Sequence, residues 1–67
     1  MQLTIRFGEP VKAEDKQSLN EYAEELGGRI IRIAGEDVLI GEGSYQDMLS
    51  LIIVSSYLKH KELVLRQ

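Results

Sequence analysis

An enzyme of this size would need a nucleophile beside a base, a cluster of metal ligands or a phosphate-binding loop, and the sequence is thin in all three. His60 is the only histidine. It sits between Lys59 and Lys61 at the expected end of a helix, where the dipole favours a cation, and no nearby partner could orient it as a general base. It therefore reads as a solvated capping residue. With one histidine and no cysteine, only carboxylates are left as zinc ligands, so neither a metal nor a cofactor is expected. Gly41 and Gly43 lack the lysine and the Ser/Thr of a nucleotide loop. The acidic side chains between Glu14 and Glu25 are too scattered to nominate an acid–base pair. No catalytic residue is expected, and the chain does not read as an enzyme.

Three other groups could do chemistry or make contacts. Ser44 is placed to cap a helix, with Asp47 three residues on in a capping-box-like arrangement; the same position would favour a phosphate, which makes Ser44 a candidate phosphorylation site. Arg6, Arg32 and Arg66 are expected on one sheet face, each from a different strand, as a small anion patch. That patch lacks the exposed aromatics that RNA-binding sheets use for base stacking. Leu51, Val54 and Leu58 form an apolar stripe at i, i+3, i+7, offset from the core stripe Tyr45, Met48, Leu49, Ile52. This stripe is the candidate interface for a protein partner or for self-association.

The elements that must position these residues follow from periodicity. Gln2 to Phe7 alternates strictly, with Leu3, Ile5 and Phe7 on one face and Gln2, Thr4 and Arg6 on the other, as a half-buried strand does. Gly8, Glu9 and Pro10 break it. A helix follows, with Ala13, Leu19, Tyr22, Ala23 and Leu26 on one face and Gly27–Gly28 as its exit. Residues 29–34 and 37–40 form a hairpin about Gly35, placing Ile31, Ile33, Val38 and Ile40 toward the core. Gly41–Glu42–Gly43 reads as a flexible loop. A second helix spans 45–59, and a last strand, 62–66, turns Leu63 and Leu65 inward.

The order β-α-β-β-α-β predicts an α+β two-layer sandwich: a four-stranded antiparallel sheet with two helices on one face. Two architectures share this order, HPr-like (strands 1-4-2-3) and ferredoxin-like (4-1-3-2), and the pattern does not separate them. The 67 residues make a single domain, 1–67. A chain this short buries only about 60% of its unfolded surface, which makes its core marginal. Without disulfides, oligomerisation or an unusually apolar core must compensate. The balance of 8 basic to 11 acidic side chains, net −3, makes nucleic acid an improbable partner. No apolar run approaches the roughly 18 residues of a membrane span. The first residues do not read as a signal peptide, so a cytoplasmic location is expected.

Gly35-Glu36-Asp37-Val38 resembles the hairpin turn that the phosphocarrier HPr-like family writes as G-K-x-V. Ser44-Tyr45-Gln46-Asp47-Met48-Leu49-Ser50-Leu51 resembles its second-helix motif, S-I-M-G-V-M-S-L. The resemblance implies that Ser44 matches a serine phosphorylated for regulation in some members. The family's active site, G-L-H-A-R-P-A, falls on Gly8 to Glu14 here, with neither histidine nor arginine. The resemblance thus implies a degenerate HPr-like domain, not a working phosphocarrier. The expected function is a small non-catalytic regulatory or protein-interaction domain. The alternatives are an HPr-class, phosphorylation-linked regulator of sugar transport and weak anion or nucleic-acid binding through the open sheet face.

Overall fold

Strict alternation sets the first strand. In the computed structural model, β1 (Gln2–Phe7) buries Leu3, Ile5 and Phe7 and leaves Gln2 and Arg6 exposed. The structure describes residues 1–26, 31–35 and 37–67, with residues 31–34 described by their backbone alone. The expected roles of Gly27, Gly28, Arg29, Ile30 and Glu36, and the facing of Ile31, Arg32 and Ile33, lie outside the described residues. The remaining elements are α1 (Ala13–Glu25), β2 (Ile31–Ala34), β3 (Val38–Glu42), α2 (Tyr45–Val54) with a 3₁₀ turn Ser55–Tyr57, and β4 (His60–Arg66).

The sheet order is β2-β3-β1-β4, antiparallel throughout. Its side chains are described for three strands, β3, β1 and β4; the short β2 adds to the outer edge of β3 through its backbone. This corrects the HPr-like form of the expected fold class; counted from its other edge the order is 4-1-3-2, the second of the two orders that the element pattern left open. β1 pairs with both β3 and β4, whereas the HPr-like order 1-4-2-3 puts the first strand at an edge. Alternation reports which face of a strand is buried and not which strand lies beside it, so the pattern had no means of fixing the order. The coarser statement stands: this is a small α+β fold. Leu19 and Ala23 of α1 and Met48 and Leu51 of α2 are buried; Leu19, Met48 and Leu51 form one core with Leu3, Ile5, Phe7, Val11 and Leu39.

Three local expectations change. The register pairs Ile5 with Leu39 and Leu3 with Gly41, so Leu39 is the buried residue of β3 while Val38 and Ile40 are half-buried on the opposite face. The all-apolar run Val38-Leu39-Ile40 gives alternation nothing to separate. Gly41 is a buried strand residue and not part of a loop. Its missing side chain is where α2 sits: a Cβ there would lie 3.0 Å from Leu51 Cδ1 and 3.4 Å from Met48 Sδ. The second helix also ends earlier than expected, at Val54, and β4 starts at His60. Where the sequence did specify the local geometry, it holds. Ser44 caps α2, its Oγ accepting from the Asp47 N–H at 3.1 Å, and Gly35 takes φ +67 in the hairpin turn, a conformation that costs glycine little.

Gly41→Ala is expected to destabilise the fold by about 1 kcal/mol and Gly41→Val by about 3 kcal/mol, because the fully buried Leu51 and Met48 have no free space to retreat into. Urea unfolding of the two variants checks this; an unchanged midpoint for Gly41→Val contradicts the close-approach account.

Candidate functional site

The 3₁₀ turn and the start of β4 bring a serine and a histidine together. Ser55 is fully buried, and its Oγ lies 3.1 Å from His60 Nε2. Proton bookkeeping decides what this pair can do. His60 Nε2 is also 3.1 Å from the Ser55 carbonyl, which can only accept, so Nε2 carries the proton. The Ser55 hydroxyl then donates to the Ile52 carbonyl at 3.2 Å and accepts from Nε2–H. A protonated Nε2 cannot take the serine proton, and a buried Oγ cannot meet a substrate. The pair is a latch between the end of α2 and β4. His60 is therefore not the solvated helix cap expected from sequence. A register shift between Arg6 and Phe7 sets His60, not Lys61, opposite Phe7, and the two rings lie 5.6 Å apart at 59°.

Next to this latch is a cleft of about 340 Å³, lined by Phe7 at the end of β1, Glu9 to Lys12 beyond it, Asp15 of α1, and Tyr57 to Lys59. Tyr57 Oη donates to Asp15 Oδ1 at 3.0 Å, tying the 3₁₀ turn to the first turn of α1. Lost hydration raises the Tyr57 pKa above its ordinary 10.0, and the hydrogen bond to Asp15 and the repulsion of a phenolate by that carboxylate add to the shift. Glu9 and Asp15 face Lys12 and Lys59 around the cleft, so it has no dominant charge sign. Sequence gave no signal for the Tyr57–Asp15 contact, which joins residues 42 positions apart.

The expected arginine patch is dispersed. Arg6 pairs with Glu62, and Arg66 pairs with Gln2 at the other end of β1, so the two arginines stand about 13 Å apart along the strand. The Arg32 side chain lies outside the described residues; its backbone pairs with Ile40. The expected interface stripe is also rearranged. Leu51 is in the core, Leu58 packs against it, and Val54 is half-buried. The apolar surface of this segment lies elsewhere: Tyr45 is 54%, Ile53 71% and Tyr57 61% exposed, with Leu49 half-buried between the first two. Tyr45, Leu49 and Ile53 follow at i, i+4, i+8, so they share one side of α2. Ser44 is exposed at the start of the helix.

No family model, no curated protein and no solved structure matches this chain. Among the described residues, no group of three or more acidic, histidine or cysteine side chains could hold a metal ion, and no helix is long and apolar enough to cross a membrane.

Two measurements test this geometry. Ser55→Ala and His60→Ala should each destabilise the protein, with a coupling of about 1 kcal/mol in the double-mutant cycle; additive effects would mean that the latch carries no energy. Tyr57 keeps its proton more tightly in the folded chain than in the unfolded one, so its contribution to stability is fully present below pH 10.0 and is lost as pH rises through the folded value. Ultraviolet titration, with Tyr57→Phe to assign the signal, should show Asp15→Asn lowering the Tyr57 pKa.

Proposed function

We propose that this chain is a small, non-catalytic protein-interaction domain whose contact surface is the outer side of α2. The observation that carries this reading is the ridge Tyr45, Leu49, Ile53. A marginal core does not leave large apolar side chains in water for packing reasons, and a contiguous exposed apolar ridge with an aromatic at its end has the composition of a contact surface.

The supporting chemistry is negative in a specific way. The nucleophile–base pair that the fold does assemble, Ser55 and His60, is locked in the wrong protonation pattern and buried. The ridge needs no cofactor to act. Ser44 at the start of the same helix gives the surface a place for control, because a phosphate there would sit beside Tyr45 and at the favourable end of the helix dipole. The HPr-class reading has no comparable support, since the strand order differs from that family's and the Gly8 to Glu14 segment has no histidine.

Ile53→Glu should leave the unfolding midpoint within about 0.5 kcal/mol of wild type, as a surface substitution does. The same change should remove any protein retained by the wild-type chain when it is used as bait in an extract of its native cell. A partner captured equally by both forms would place the contact surface elsewhere.

A further inference from the structure

β4 is the last strand on its side of the sheet, and the hydrogen bonds of β1 show which of its backbone groups stay open. Phe7 N–H donates to Asp37 O, just before β3, at 2.8 Å. Successive residues of a strand turn their backbone groups to opposite sides, so Leu3 and Ile5 bond toward β3 while Gln2, Thr4 and Arg6 bond toward β4. Their partners Arg66, Val64 and Glu62 direct their N–H and C=O groups to β1. Leu63 and Leu65 turn theirs outward, past the edge, where they form a template for another strand. The Leu63 side chain is 40% exposed, so the helix layer stops short of this edge.

The sequence of this edge is complementary to itself. Set against its own reverse, Glu62-Leu63-Val64-Leu65-Arg66 puts acid opposite base at both ends and apolar opposite apolar between them. We infer that β4 pairs antiparallel with β4 of a second copy, about a two-fold axis that passes through Val64 perpendicular to the sheet. Val64 then meets its own counterpart, Leu63 exchanges its backbone hydrogen bonds with Leu65 of the second copy, and Glu62 faces Arg66. Neighbouring registers fail on side-chain chemistry. An axis at Leu63 sets Glu62 against Val64, and one at Leu65 sets Val64 against Arg66. An axis at Glu62 or at Arg66 stacks like charges. The strands behind β4 agree with the Val64 axis. Glu62 comes to lie between Arg6 of its own chain and Arg66 of the second copy, and Arg66 between Gln2 and Glu62 of the second copy, so no like charges adjoin. Arg32 is on β2, at the far edge of the sheet. The inference uses no residue of the α2 ridge and stands whether or not that ridge binds a partner.

The segment Glu62–Arg66 is well short of the ~20–30 residues a side of a standard interface, so the dimer is weak. In sedimentation equilibrium from about 10 µM to about 1 mM, wild type should pass from monomer to dimer with a dissociation constant on the order of 100 µM. Glu62→Arg and Arg66→Glu each place like charges together on both sides of the axis and should weaken association about tenfold or more. The double exchange should return it to within about threefold of wild type, since the pairs are restored with their signs swapped. Cysteine variants test the register without altering charge, because the chain has no cysteine of its own. Val64 and its counterpart form a non-hydrogen-bonded pair, with Cα atoms about 4.5 Å apart and within disulfide reach. Val64→Cys, oxidised at about 1 mM, should therefore give a covalent dimer. Thr4→Cys should not, since three strand spacings, about 14 Å, separate it from its counterpart. Circular dichroism of each variant confirms that it is folded. A wild type that stays monomeric at the top of the concentration range overturns the inference. So does a double exchange no better than its single variants, or a Thr4→Cys chain that cross-links as readily as Val64→Cys.

Discussion

The position of α2 depends on a missing side chain. Gly41 lets Leu51 and Met48 rest directly on the sheet, and any larger residue would hold the helix away. Once Met48 and Leu51 are committed to the sheet, the orientation of α2 about its axis is fixed, and Tyr45, Leu49 and Ile53 are turned toward solvent. The ridge proposed as the contact surface is therefore set by one backbone position on β3. The same seating holds Ser55 in the core, where it can receive His60.

The rest of the architecture supports that seat. β1 is the central strand, and its inward residues Leu3, Ile5 and Phe7 meet both helices through a single core. Short ties close the ends of the molecule: Gly8 N–H donates to Lys59 O at 2.9 Å, Phe7 N–H to Asp37 O at 2.8 Å, and Gly43 N–H to Met1 O at 3.0 Å. With no cysteine to form a disulfide, a chain of this size relies on such ties and on tight packing.

The sequence was legible wherever one residue type forces a local geometry. The alternation of β1, the Ser44 cap and the positive φ of Gly35 were all readable, because each is settled by neighbours a few residues away. What was not readable depended on distance or ambiguity. Val38-Leu39-Ile40 is apolar on both faces, so only pairing with β1 shows that Leu39 is the inward residue. Gly41 looks like loop punctuation until a helix is known to lie on it. His60 looked like a helix cap because the 3₁₀ turn and the register shift that face it toward Phe7 leave no pattern. Arg6 and Arg66 were correctly expected on one face, yet alternation carries no information about row, and the rows keep them apart. Nor could the sequence place the apolar surplus of α2: it exceeded one helix face, but which part stayed in water depended on Gly41.

The register shift at the start of β4 has a consequence for how the protein keeps its assembly under control. β4 is an edge strand, and an edge strand offers a row of open backbone groups to any extended chain that meets it. The shift between Glu62 and His60 interrupts the regular spacing of that row, and the lysine at 61 sits at the interruption. A foreign strand cannot zip along β4 past this point without losing step. The irregularity that turns His60 inward thus also works as a stop against runaway strand addition, the route by which small sheet proteins form fibres.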